Sequence, residues 1–98
     1  MTEIENLSVV IMEECAELAQ AISKSLRFGY DCYDEAVPET NNASDILIEY
    51  YQLKAMMELL ISRAKLYKYG VDEETQKLNK ISKFLKYEEI SKELGKIT

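Results

Sequence analysis

Histidine and tryptophan are absent from this 98-residue sequence, and glycine (3), proline (1) and cysteine (2) are scarce. Each shortage excludes something. Without histidine there is no Ser-His-Asp or Cys-His nucleophile system and no histidine-ligated zinc. Gly29, Gly70 and Gly95 stand far apart, so no glycine-rich loop can cradle a phosphate. One proline and three glycines leave little turn chemistry for a many-stranded sheet. Cys15 and Cys32 make no disulfide framework and read as free thiols, which points to a reducing, cytoplasmic setting. The first five residues, Met-Thr-Glu-Ile-Glu, are acidic where a secretory leader is basic. No apolar run approaches the roughly 20 residues that cross a bilayer, so no membrane partner is expected.

What is present is charge, unevenly placed. The formal net charge is -6. Residues 1–49 carry 11 acidic side chains against only Lys24 and Arg27, a net of -9. Residues 50–98 carry seven against ten basic ones, a net of +3. An overall acidic chain does not suit a long nucleic-acid backbone, which needs a basic surface. Apolar residues make up 47%, enough for a core. A single domain spanning 1–98 is expected, small enough for self-association to complete its core.

Three helices are predicted. Thr2 with Glu5 three residues on forms a capping-box pattern that opens the first, which runs to about Arg27 before Gly29. Residues 28–44 hold Gly29, Pro38 and Thr40-Asn41-Asn42 and read as a loop. Asn42 or Ser44 is the predicted cap of a second helix reaching about Tyr69. Asp72 is the predicted cap of a third, from about Glu73 to Leu94, stopped by Gly95. The fold class that follows is all-α, a bundle of about three long helices completed by a homo-oligomer.

Periodicity then exposes an anomaly. On the first helix Ile4, Leu7, Ile11, Cys15, Leu18, Ile22 and Leu26 form the expected apolar stripe, widened by Val10 and Ala21. Glu14 falls inside that sector, with Glu17 at its edge and Glu13 farther round. On the second helix Ile46, Leu53, Met56, Leu60, Ala64 and Tyr67 define the apolar face, and Glu49 falls at its middle with Gln52 beside it. Burying an unpaired carboxylate costs several kcal/mol, so a cation partner such as Arg63, Lys54 or a lysine of the third helix, a proton, or a metal must compensate. Carboxylates without cysteine or histidine select a hard cation, Mg²⁺ or Mn²⁺. On the third helix Lys77, Lys80, Lys83 and Lys86 recur every three residues. Such a run is ordinarily a solvated face; its functional alternative is a cationic wall for phosphate oxygens.

The order of these pieces resembles the MazG-like, all-α nucleoside triphosphate pyrophosphohydrolases, particularly short forms found in bacteriophages. Residues 11–20, Ile-Met-Glu-Glu-Cys-Ala-Glu-Leu-Ala-Gln, look like the family's Glu-Glu-x-x-Glu motif, and residues 21–29 continue as the phage forms do. Thr40-Asn41 precedes the second helix, residues 49–60 match the second acidic motif region, and residues 80–87 look like the basic last helix. The resemblance covers nearly the whole chain. It implies Mg²⁺-dependent cleavage of a nucleoside triphosphate to monophosphate and pyrophosphate. Glu14, Glu17, Glu49 and Gln52 would be metal ligands, and Glu13 and Glu14 catalytic, with Glu13 a ligand or water-orienting base. Lys24, Arg27, Asn41, Lys80, Lys83 and Tyr87 would contact the nucleotide. A dimer or tetramer in the host cytoplasm is implied too. One departure stands out. Gln52 occupies the place of the motif's Asp, and Tyr51 that of the small residue before it. Gln52 offers a metal a carbonyl oxygen without charge.

Three functions compete on this basis. The first is the enzyme. The second is a catalytically inactive binder that sequesters a nucleotide, for example a signalling nucleotide of a host defence system. The third is a helical interaction protein whose inward acids merely pair with lysines.

Overall fold

The computed structural model describes all 98 residues. Every regular element is helical, as the sequence predicts: α1 (Glu3–Phe28), α2 (Asn42–Arg63) and α3 (Glu73–Glu93), with a short 3₁₀ turn at Leu66–Tyr69. The chain divides into two compact units, Met1–Leu66 and Tyr67–Thr98. No helix is long and apolar enough to cross a membrane.

The first unit is a helical hairpin. Its α1 starts on the predicted capping box: the Glu5 amide donates to Thr2 Oγ1 and the Thr2 amide to Glu5 Oε1, both at 3.1 Å. Gly29 ends it at φ 91°, a conformation that a Cβ would strain, and donates its amide to the Ser25 carbonyl. The cap of α2 is Asn41, one residue ahead of the earliest predicted cap. Its side-chain oxygen accepts from the Ser44 amide at 2.8 Å, and Ser44 Oγ accepts from the Asn41 amide at 2.9 Å. Ser44 is thus the reciprocal partner in a capping box and not the cap itself.

α2 also ends six residues before the predicted Tyr69. Lys65 adopts φ 53°, which no α-helix accommodates, and the chain tightens into the 3₁₀ turn. Tyr67 therefore leaves the α2 face on which periodicity puts it and is 67% exposed.

The two helices of the hairpin run antiparallel. The Asn42 and Ala43 amides, at the start of α2, donate to the Cys32 and Tyr30 carbonyls just beyond the end of α1. Farther along α2, Glu49 reaches Glu14 and Glu17 in the middle of α1. Along α1 the packed line is Ile4, Leu7, Ile11, Glu14, Leu18, Ala21 and Ser25; along α2 it is Asn42, Ile46, Glu49, Leu53, Met56 and Leu60. These steps of three and four average 3.5 residues on α1, the spacing of a seam between two coiled helices, and 3.6 on α2.

That spacing corrects the predicted α1 stripe. Cys15, Ile22 and Leu26 follow a period closer to 3.7, drift off the seam and are exposed, Leu26 by 83%. They join Met12 and Ala19 in a second stripe, one residue C-terminal to the seam. Leu47, Tyr50, Met57 and Ile61 hold the same offset on α2. In an antiparallel pair, one step C-terminal turns both helices toward the same side of the hairpin. The two stripes therefore form one largely exposed apolar face. One step N-terminal, on the opposite side, stand Glu13, Glu17, Gln20 and Lys24 of α1 with Asp45 and Gln52 of α2.

The second unit contains α3. Asp72 caps it as predicted: its carboxylate accepts from the Thr75 amide at 2.9 Å and the Thr75 hydroxyl at 2.6 Å, which lowers its pKa. At the other end Gly95, at φ 73°, donates to the Lys92 carbonyl and Lys96 to that of Ser91, a Schellman ending. No residue of α3 is buried.

Candidate metal centre

The hairpin seam carries two carboxylates where leucine would ordinarily pack. Glu14 and Glu49 are both half-buried, and Glu17 stands exposed beside them. One carboxylate oxygen from each of the three can be chosen so that all lie within 4.8 Å of one another. Oε2 of Glu14 and Oε2 of Glu49 are buried with no hydrogen-bond partner. Three like charges converge here without a compensating cation. Every ion pair of the chain lies within α3, linking Lys77 to Glu73 and Glu74, and Lys92 to Glu88. None of the partners that the sequence offers, Lys54, Arg63 or a lysine of α3, forms an ion pair with the cluster.

Glu49 responds to this strain. Its carboxyl is held above the ordinary value, first by burial, then by Glu17, and further by Glu14 and Asp45. When Glu49 is protonated, Glu17 can share its proton through a hydrogen bond. A proton thus offsets part of the repulsion, while the orphaned oxygens mark where a divalent cation would offset more. The donor set, oxygen only and triply negative, suits Mg²⁺ or Mn²⁺.

The remaining predicted residues separate. Gln52, one turn beyond Glu49, is exposed on the same side of the hairpin as Glu17. Glu13 is exposed one turn ahead of Glu17, outside the three-carboxylate cluster. Lys24 lines a cavity of about 450 Å³ together with Glu17, Gln20, Asn42, Asp45 and Glu49. Arg27 lies over the Phe28 ring, 5.3 Å from its centre. The Asn41 side chain is engaged as the α2 cap. Lys80, Lys83 and Tyr87 are exposed on α3, in the other unit.

A second cavity, which the sequence did not reveal, adjoins the first. It measures about 550 Å³ and lies against the end of α1, the 29–41 loop and the start of α2. The loop is pinned there from three directions. Asn42 Nδ2 donates to the Gly29 carbonyl at 2.9 Å, the first two α2 amides hold the Cys32 and Tyr30 carbonyls, and the Ala36 amide donates to Asp34 Oδ1 at 2.9 Å. The usable sequence signal was the Asp34 to Ala36 spacing of a side-chain turn; the contact of Asn42 across 13 residues had none. Compared with protein-family models, with curated proteins and with solved structures, the chain matches none.

Proposed function

We propose that this chain is a MazG-like nucleotide-binding protein that hydrolyses a nucleoside triphosphate to its monophosphate and pyrophosphate with Mg²⁺ or Mn²⁺. The observation that carries the reading is the convergence of Glu14, Glu17 and Glu49 with two buried, unpartnered oxygens and no ion pair to any of the three. Glu14, Glu17 and Glu49 would hold the ion, which supplies Lewis-acid neutralisation of phosphate charge. Lys24, on the wall of the same cavity, orients the polyphosphate and balances its charge. Glu13 is the base: it takes a proton from the water that attacks the α-phosphorus, as the bond to the bridging oxygen breaks and pyrophosphate leaves.

A specific observation favours a second reading. Gln52 stands uncharged where the motif has Asp, so the ligand set presents three negative charges instead of four. Mg²⁺ sheds water reluctantly, and a weaker site suits retention of a nucleotide without cleavage. Incubation with a nucleotide panel and Mg²⁺ or Mn²⁺, followed by chromatography, tests both. Pyrophosphate release that Glu49→Ala abolishes supports the enzyme. Intact nucleotide recovered after heat denaturation supports the sequestering protein. Hydrolysis gained by Gln52→Asp would identify that substitution as the disabling step.

The same proposal includes self-association. The apolar face formed by the offset stripes of α1 and α2 is covered by the same face of a second copy. A two-fold pairing needs one self-complementary patch, and this face is apolar from Met12 to Leu26 on α1 and at Leu47, Tyr50, Met57 and Ile61 on α2, with Lys54 among them. Cation and nucleotide occupy the opposite side of each hairpin.

A further inference from the structure

The two cavities of the hairpin unit share Lys24, Asn42 and Asp45 as walls. They are two chambers of one trough with contrasting chemistry. The chamber beside Glu17 and Glu49 is polar and anionic. The other is walled by Phe28, Tyr33 and Val37, with Asp34 and Thr40 among them. Lys24 lines both. A ligand that fills the trough must be charged enough at one end to need a cation, anionic at the waist, and flat and apolar at the far end. We propose that the chamber walled by Phe28 and Tyr33 receives a nucleobase, and that it selects bases bearing an exocyclic amine over uracil and thymine. This inference rests on the metal–phosphate reading above and adds to it the recognition of the base.

The selectivity follows from which polar atoms are already engaged. Asp34 Oδ1 accepts from the Ala36 amide, which leaves Oδ2 as an acceptor. Asn42 Nδ2 donates to the Gly29 carbonyl, which leaves its side-chain oxygen as an acceptor. Asp45 adds a further carboxylate at the boundary of the chambers. Against these acceptors stand the Tyr33 and Thr40 hydroxyls, which donate or accept, and the Lys24 ammonium, which the phosphates claim at the waist of the trough. An edge with an amino group, as in adenine, cytosine or guanine, satisfies such a wall. The two carbonyls of uracil or thymine face acceptors and lose their hydrogen bonds to water without replacement. Phe28 and Tyr33 supply the flat surfaces that stack on any base, so they set affinity and the carboxylates set preference.

Calorimetric titration in the presence of Mg²⁺ tests this with inorganic tripolyphosphate and the α,β-methylene analogues of ATP, CTP and UTP, which cannot be cleaved at that bond. The ATP and CTP analogues are expected to bind about tenfold more tightly than tripolyphosphate, in line with the value of one stacked base. The UTP analogue should bind more weakly than either. Phe28→Ala and Tyr33→Ala should each reduce the nucleotide advantage and leave tripolyphosphate binding unchanged, which also verifies that the variants are folded. Asp34→Asn keeps the acceptor for the Ala36 amide and replaces the free oxygen with a donor, so it should narrow the gap between the CTP and UTP analogues. Nucleotides that bind no better than tripolyphosphate, or a UTP analogue equal to that of CTP, would overturn the base chamber alone. Failure of both tripolyphosphate and nucleotides to bind would overturn the metal–phosphate reading and this inference with it.

Discussion

Glu14 and Glu49 occupy matching seam positions on antiparallel helices, and each leaves its Oε2 buried without a partner. Two carboxylates in an apolar seam repel each other, and Glu17 adds to the repulsion. The arrangement is unfavourable in the empty hairpin and, under the proposed function, would become favourable with a divalent cation among the three oxygens.

Cation binding should therefore stabilise the fold directly. Addition of Mn²⁺ or Mg²⁺ should raise the melting temperature measured by circular dichroism. Glu14→Gln and Glu49→Gln should each weaken Mn²⁺ binding, read by electron paramagnetic resonance, by at least about tenfold, the lower end of what losing even an outer-shell partner costs. Equal Mn²⁺ affinity in wild type and both variants would rule the cluster out as a metal centre.

The raised pKa of Glu49 gives a pH dependence of definite sign. The folded carboxyl holds its proton to higher pH than the unfolded one, whose ordinary value is 4.5. Between those values the folded state binds more protons, so the metal-free protein loses stability as pH rises through the window. Glu49→Gln should flatten this decline and raise the metal-free melting temperature at neutral pH. A decline equally steep in the variant would assign it to other groups.

The α2 cap offers a separate test of the fold. Asn41→Ala removes the acceptor for the Ser44 amide and should cost about 1 kcal/mol of stability in urea titration. Asn41→Asp keeps the acceptor and should cost much less. Loss of nucleotide binding in Asn41→Asp at full stability would instead give the side-chain amide a contact with the ligand.

Self-association is tested on the apolar face. Leu26→Asp and Met12→Asp place a charge in an exposed stripe without touching the seam, so each should leave helicity unchanged. Sedimentation velocity should show wild type as a dimer or larger and both variants shifted toward the monomer. A wild type that stays monomeric at high concentration would remove the second copy from the proposal.

Capping and termination were legible at the ends of α1 and α3, because they are local there. Thr2 with Glu5, Asp72 as a cap, and Gly95 are each specified within a few residues, and the structure carries all three. The inward placement of Glu14 and Glu49 was legible too, because it follows from angular position alone. Their convergence with Glu17 was not, since it depends on the stagger of α1 against α2. The stripe through Cys15, Ile22 and Leu26 misled because the seam repeats every 3.5 residues while a straight helix turns every 3.6, and over 20 residues the difference moves a residue onto the next face. The break at Lys65 carries no signal at all: lysine is an ordinary helix former, and nothing local requires its φ of 53°. The adjoining chamber was hidden because the contact that shapes it, Asn42 to Gly29, joins residues that no local rule links.

The two carboxylates in the seam have one further consequence. With leucine at positions 14 and 49 the hairpin would bury more apolar surface, avoid two orphaned oxygens and fold without a cation. The actual chain forgoes that stability at two positions of the seam where its helices pack. Its resting state is consequently a frustrated one, and under the proposed function the occupancy of one small site would set how far that frustration is relieved. In a cell, the folded population would then track the free concentration of a divalent ion, which makes the hairpin's persistence, as well as its chemistry, a function of its ligand.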